Sequence, residues 1–204
     1  EAWKDDGLVA YWPLDRNSEN VQGTGTWNGD HGSGVTNVTG IIGDAYFFDG
    51  ESDATINVSN HSGLHIQENM TISTWIKLAQ VAGEGTNNFV IMDNGDYSFF
   101  VDPNSLNLTV KWEGNFHTID YVIKNETWYH AAFTFNGSNI RAYVDGGMVA
   151  DLVDTTALEL GGTTAAIGAA LDGNNFFNGT IDEVRFYNRT LSSDEIMNLY
   201  TMMD

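Results

Sequence analysis

The 204-residue chain contains no cysteine, 2 prolines and only 8 Lys plus Arg. Without cysteine there is no disulfide framework, no thiol nucleophile and no thiolate-held zinc. The few basic residues face 28 acidic ones, and the net charge of −20 argues against a nucleic-acid backbone as partner. No apolar run reaches the length of a membrane helix, and no charged-then-apolar leader opens the chain. A processed chain or a segment of a longer protein is therefore expected. His31, His61, His65, His117 and His130 show neither i, i+4 spacing nor a zinc signature, and no Gly-x-Ser-x-Gly elbow is present.

What is present is enough for a packed core: 42% hydrophobic and 12% aromatic residues, with 22 glycines suited to tight turns between short strands. The surplus of carboxylates reads either as a solvated, salt-tolerant surface or as capacity for divalent cations. Asn-x-Ser/Thr recurs at Asn37, Asn57, Asn60, Asn69, Asn107, Asn125, Asn136, Asn178 and Asn188. That is roughly threefold more often than chance allows, which points to an extracellular or cell-surface glycoprotein.

The hydrophobic pattern has period two. Leu8 to Trp12 reads as a strand that Pro13 confines to an edge, and residues 17–43 are too polar for core. Met70-Thr-Ile-Ser-Thr-Trp-Ile-Lys77 alternates cleanly, with Met70, Ile72, Thr74 and Ile76 on one face. Further strands follow at residues 89–92, 97–102, 106–112 and 118–123. A hairpin joins Trp128–Phe135 to Ile140–Asp145, with Tyr129, Ala131, Phe133, Phe135, Ile140, Ala142 and Val144 inward. Short strands with turn chemistry between them indicate an antiparallel sandwich in a single domain.

Near the C-terminus, Thr180 to Tyr187 alternates as a strand, and Ser192-Ser-Asp-Glu195 announces a short helix through a capping box. One phase of the strand puts Asp182 inward with Val184 and Phe186, where a carboxylate needs a partner such as a cation. The other phase, with Ile181 and Tyr187 inward, leaves Asp182 solvated.

Six ordered stretches carry a family resemblance: Leu8-Val-Ala-Tyr-Trp-Pro-Leu-Asp15, Ala45-Tyr-Phe-Phe-Asp-Gly50, Met70–Lys77, Trp128–Phe135, Ala142-Tyr-Val-Asp-Gly146 and Gly179–Leu191. Together they resemble concanavalin A-like, laminin-G-like (LamG) jelly-roll domains over essentially the whole chain, residues 1–204. The resemblance implies an all-β, two-sheet antiparallel jelly-roll sandwich with a short C-terminal helix. It also implies a secreted, lectin-like carbohydrate-binding or cell-adhesion module, often part of a larger protein, whose partner is a glycan or a cell-surface protein. Related glucanases carry a similar terminal strand whose aspartate holds calcium. Carried over, this makes Asp182 a ligand of structural Ca2+, with Asp49, Gly50, Asp53 and Asp15 as further candidates.

Sugar recognition by such domains uses aromatic faces, for which Trp75, Trp112, Tyr97 and Tyr121 are the candidates. The loops Asp93-Asn-Gly-Asp96 and Asp172-Gly-Asn-Asn175 are either lectin loops or second cation sites, or ordinary turns. The Glu-x-Asp-x-x-Glu arrangement of the glucanases is missing, so a retaining hydrolytic pair is not expected. His117 with Tyr121 would suit a polysaccharide lyase, but the neutralising groups that such chemistry needs are not evident. A purely structural surface domain remains the third reading.

Overall fold

The structure, a computed structural model, describes residues 2–19, 21, 29–58, 62–64, 69–79, 88–158 and 164–202. Its strands in chain order are β1 (Leu8–Trp12), β2 (Asp30–His31), β3 (Val35–Thr39), β4 (Asp44–Asp49), β5 (Ile56–Val58), β6 (Met70–Leu78), β7 (Phe89–Asp93) and β8 (Tyr97–Val101). They continue with β9 (Asn107–Trp112), β10 (Asn115–Val122), β11 (Trp128–Phe135), β12 (Asn139–Val144), β13 (Gly147–Val153), β14 (Ala165–Ile167) and β15 (Asn178–Tyr187). Helix α1 (Ser193–Thr201) follows the last strand.

All pairings are antiparallel. One sheet runs β13-β12-β11-β6-β15-β4-β3, with β1 added on β15; the other runs β10-β9-β8-β7-β14-β5-β2. The two inner faces share a continuous apolar core. Phe99 meets Phe133 edge to face at 5.4 Å, and Trp112 lies 4.1 Å from Phe135. The two-sheet sandwich with one short C-terminal helix is the architecture expected from the alternation.

Local chemistry explains the hairpins. Phe135 pairs with Ile140 and Ala131 with Val144, so the inward set of β11 and β12 is the apolar one read from the sequence. The turn between them is closed by Asn136, whose side-chain oxygen accepts the amides of Ser138 and Asn139. Among the described residues the polar stretch before β4 supplies the short β2 and the edge strand β3, which is largely exposed but for Val35; that one apolar side chain joins the core, a correction to the expectation that residues 17–43 contribute none.

Ser192 caps α1 and Glu195 returns a bond to the Ser192 amide. The helix lies on the outer face of the first sheet, where Ile196 and Leu199 pack with Ala132, Tyr143, Tyr187 and Leu191. No helix among the described residues is long and apolar enough to cross a membrane.

The β15 strand departs from simple alternation. Its register shifts between Asp182 and Arg185, and Glu183 adopts φ +55°, a bulge that inserts one residue into the strand. Ile181, Val184 and Phe186 therefore all face the core, while Tyr187 turns out beneath α1. Neither uniform phase is correct, because each assumes a strand without a bulge. Asp182 pairs with the outward Trp75, yet is 0% exposed because the loop between β3 and β4 closes over it.

Candidate functional site

The four strands β7 to β10 carry two rows of outward side chains in register. The first row runs Asp93, Ser98, Lys111, Phe116, and the second Val90, Phe100, Thr109, Thr118. Each row crosses three strand spacings, about 14 Å. Val90 and Phe100 are buried although they face away from the core, because Phe116 and the loop of residues 170–175 rise beside them. Between those walls lies a cleft of about 320 Å³.

Polar bonds fix its margins. The Asp93 carboxylate accepts the Gly95 amide at 3.2 Å and the Leu171 amide at 2.8 Å, joining the two loops that the sequence singled out. Asn175, with φ +56°, accepts the Asn88 amide through its side-chain oxygen at 2.9 Å. Lys111 donates to the Gly95 carbonyl at 3.2 Å. Phe116 lies nearly perpendicular to Phe100, ring centroids 6.2 Å apart, and keeps 63% of its surface in solvent. An aromatic ring that keeps most of its surface in water is unusual for a sheet face and suits a stacking ligand.

The aromatics nominated from sequence lie elsewhere. Trp112 is 0% exposed, and its indole donates to the Thr156 carbonyl at 2.8 Å; Tyr97, stacked between Trp112 and Phe186, is equally enclosed. Trp75 stacks on Tyr200 of α1. These three rings have no face to offer a sugar, which corrects their assignment as ligand-stacking residues. Tyr121 is half-buried, edge-on to Tyr129 and packed against the core. Phe116 had a detectable signal: an apolar residue at the end of the Glu113-Gly-Asn turn, in phase with Lys111 rather than with the core set.

His117 and Tyr121, the pair considered for a lyase, belong to the inward side of β10. His117 pairs with core Val110 and bonds the Asp154 carboxylate at 2.8 Å, so it does not face the cleft.

Asp182 lies beside the bulge, under the loop between β3 and β4. Its Oδ2 accepts the amides of Ile41 and Ile42 at 2.9 and 3.2 Å, while its Oδ1 is buried without a hydrogen-bond partner. Burial pushes the Asp182 carboxyl up to about 7, opposed chiefly by the Ile42 amide. Asp15 reaches the same loop, its Oδ1 accepting the Asp44 amide at 2.7 Å. A Cβ on Gly40 would collide with both Asp182 Oδ2 and the Asp44 carbonyl.

Glu183, next in the chain, is buried against Tyr11 and Arg185; Arg185 also lies over the Tyr11 ring at 4.2 Å. Burial raises the Tyr11 phenol well above its ordinary range.

Asp49, Gly50 and Asp53 are not in this group. Asp49 pairs with Asn178, four residues along β15 from Asp182, roughly 13 Å away at strand spacing. Asp53 instead holds the amide and hydroxyl of Ser33, which lowers its carboxyl pKa. Among the described residues, no three His, Asp or Glu side chains converge as metal ligands.

Of the glycosylation acceptors, Asn37, Asn57, Asn69 and Asn188 are exposed, and Asn107, Asn125, Asn136 and Asn178 are half-buried. Asn60, like His61 and His65, lies outside the described residues.

Residues 48–197 match the family model described as the concanavalin A-like lectin/glucanases superfamily. The chain belongs to that family. Its fold is shared by domain 4 of AbnA, an extracellular arabinanase from Geobacillus stearothermophilus, solved in complex with arabinotriose. The TM-score is 0.74 at 19% identity, over 95% of this chain and 98% of that one.

It is shared too by the botulinum neurotoxin serotype D ligand-binding domain in complex with N-acetylneuraminic acid, at TM-score 0.73 and 17% identity over 96% and 51% of the two chains. The binding domain of Paraclostridial Mosquitocidal Protein 1 gives 0.72 and 17% over 96% and 52%. This superfamily member spans about half the length of each of those toxin domains.

Proposed function

We propose that this superfamily member is a non-catalytic carbohydrate-binding module of an extracellular protein, and that it binds a short stretch of glycan in the cleft between Phe116 and the loop of residues 170–175. The observation that carries this is Phe116, 63% exposed at the end of a polar row containing Ser98 and Lys111. A ring face beside hydroxyl, ammonium and amide groups matches the two surfaces of a sugar, one of C–H groups and one of hydroxyls. The arabinotriose complex of AbnA domain 4 supports the ligand class, and the extracellular arabinanase that carries that domain supports the location, as does the abundance of glycosylation acceptors.

The test is calorimetric titration with a glycan panel that includes arabino-oligosaccharides, repeated on Phe116→Ala. Binding that falls at least tenfold in the variant, with unchanged thermal stability, supports the reading. Failure of every glycan to bind the unaltered protein removes it.

A second reading has its own support. We propose that Asp182 holds a structural calcium ion together with Asp15 and the Asp44 carbonyl, tying β15 to the β3–β4 loop and to the segment after β1. Calcium takes carboxylate and backbone carbonyl oxygens; Asp182 Oδ1 is buried without a hydrogen-bond partner, and only a glycine at position 40 leaves Asp182 Oδ2 and the Asp44 carbonyl uncrowded, which fits such a group. When bound, the ion would supply the charge that offsets burial of the carboxylate. A melting temperature unmoved by calcium or by chelator would remove this second reading.

A further inference from the structure

We infer that the cleft selects neutral glycans and discriminates against glycans carrying a carboxylate, such as uronic or sialic acids. The inference rests on the carbohydrate-binding reading above. Its basis is the charge around the cleft.

Asp93 and Asp172 belong to the lining. The turns bearing Asp96 and Glu113 are joined at its margin, the Glu113 amide donating to the Asp96 carbonyl at 2.8 Å. Among the described residues the lining sets one cation, Lys111, against the two carboxylates of Asp93 and Asp172, and its ammonium already serves the Gly95 carbonyl. A buried or half-buried carboxylate ligand is best held by the two-pronged guanidinium of arginine, and among the described residues none lines the cleft. The uncharged groups there, among them Ser98, Asn88 and Asn175, suit hydroxyl recognition. The surrounding field points the same way, since the whole chain carries −20 and like charge lowers both association rate and affinity.

The decisive measurement uses pairs of oligosaccharides, neutral arabino-, xylo- and galacto-oligosaccharides and counterparts bearing one uronic or sialic acid, titrated at low and high salt. The neutral member of a pair is expected to bind at least tenfold more tightly at low ionic strength. The gap should shrink as salt shortens the range of the repulsion to a few ångströms. An acidic member that binds as tightly as its neutral partner, and loses that binding in Phe116→Ala, overturns the inference and leaves the carbohydrate-binding reading standing. A gap indifferent to salt overturns it as well, because the discrimination would then be steric. If neither member of any pair binds, the carbohydrate-binding reading fails and the inference falls with it.

Discussion

The Asp93 carboxylate accepts the Leu171 amide at 2.8 Å across two segments 78 residues apart, and so sets the loop of residues 170–175 against the face of β7. Asp93 is 7% exposed, and its other oxygen takes the Gly95 amide. Replacing it by alanine strands two amides near the protein interior, at about 1–3 kcal/mol for each that water fails to reach. We expect Asp93→Ala to lower stability by that order, to speed hydrogen exchange at the Leu171 amide, and to weaken glycan binding through loss of the wall. Asp93→Asn, which keeps one acceptor, should fall between. Unchanged exchange at Leu171 would show that the loop does not depend on this bond.

Trp112 and Phe116 sit four residues apart and should behave oppositely. Trp112 is fully buried against Tyr97 and Phe135, so Trp112→Ala should cost about 3–5 kcal/mol in urea unfolding. Phe116 is mostly exposed, and Phe116→Ala should shift stability by under about 1 kcal/mol while reducing glycan affinity tenfold or more. Comparable stability losses in the two variants would mean that Phe116 is a packing residue and that the cleft has no aromatic platform.

The contrast marks what the sequence could reveal. Alternation alone places Tyr129, Phe133 and Phe135 in the core, because a strand with one wet face allows no other phase. It could not say which tryptophan is exposed, since Trp75 faces outward as its phase requires and is then covered by Tyr200. Burial of an outward residue depends on what packs over the sheet, which is long-range information. The same holds for Asp182. The Asp-Glu-Val-Arg run looks regular, and it takes the register shift against β6 and the positive φ of Glu183 to show the extra residue that turns Ile181 and Val184 to the same side. The lectin-loop reading of residues 93–96 and 172–175 was accessible from turn chemistry, but their meeting was not.

Gly40 tests the Asp182 site without replacing a carboxylate. A methyl group there would press on Asp182 Oδ2, which the Ile41 and Ile42 amides hold, and on the Asp44 carbonyl. Gly40→Ala is expected to destabilise by about 1–3 kcal/mol through forced displacement of the loop. It should also abolish any calcium-dependent rise in melting temperature. Asp182→Asn, which keeps the shape and removes the charge, should abolish the calcium response without the steric cost. A full calcium response in both variants would place the ion elsewhere.

His130 gives the fold a definite pH dependence. It is 1% exposed on the outer side of β11, bonded through Nε2 to the Ser73 hydroxyl at 2.8 Å and flanked by the rings of Trp75 and Tyr200. Asp145 faces it only through the backbone, accepting the His130 amide. Burial, with a smaller contribution from the Arg185 charge, lowers its pKa from 6.5 to about 3. Above pH 6.5 the ring is neutral in both states and contributes nothing to the slope. Below that the unfolded chain takes up a proton that the folded chain refuses, so stability falls as pH drops from about 6.5 towards 3, by up to about 1.4 kcal/mol per unit. His130→Gln, which keeps a hydrogen-bonding group for the Ser73 hydroxyl but does not titrate, should show a shallower loss in urea midpoint between pH 6.5 and 4.5. Its lower overall stability would displace the whole curve and leave that slope difference readable. Parallel curves for the two proteins would mean that His130 is protonated in the folded state, and that α1 opens to admit the charge.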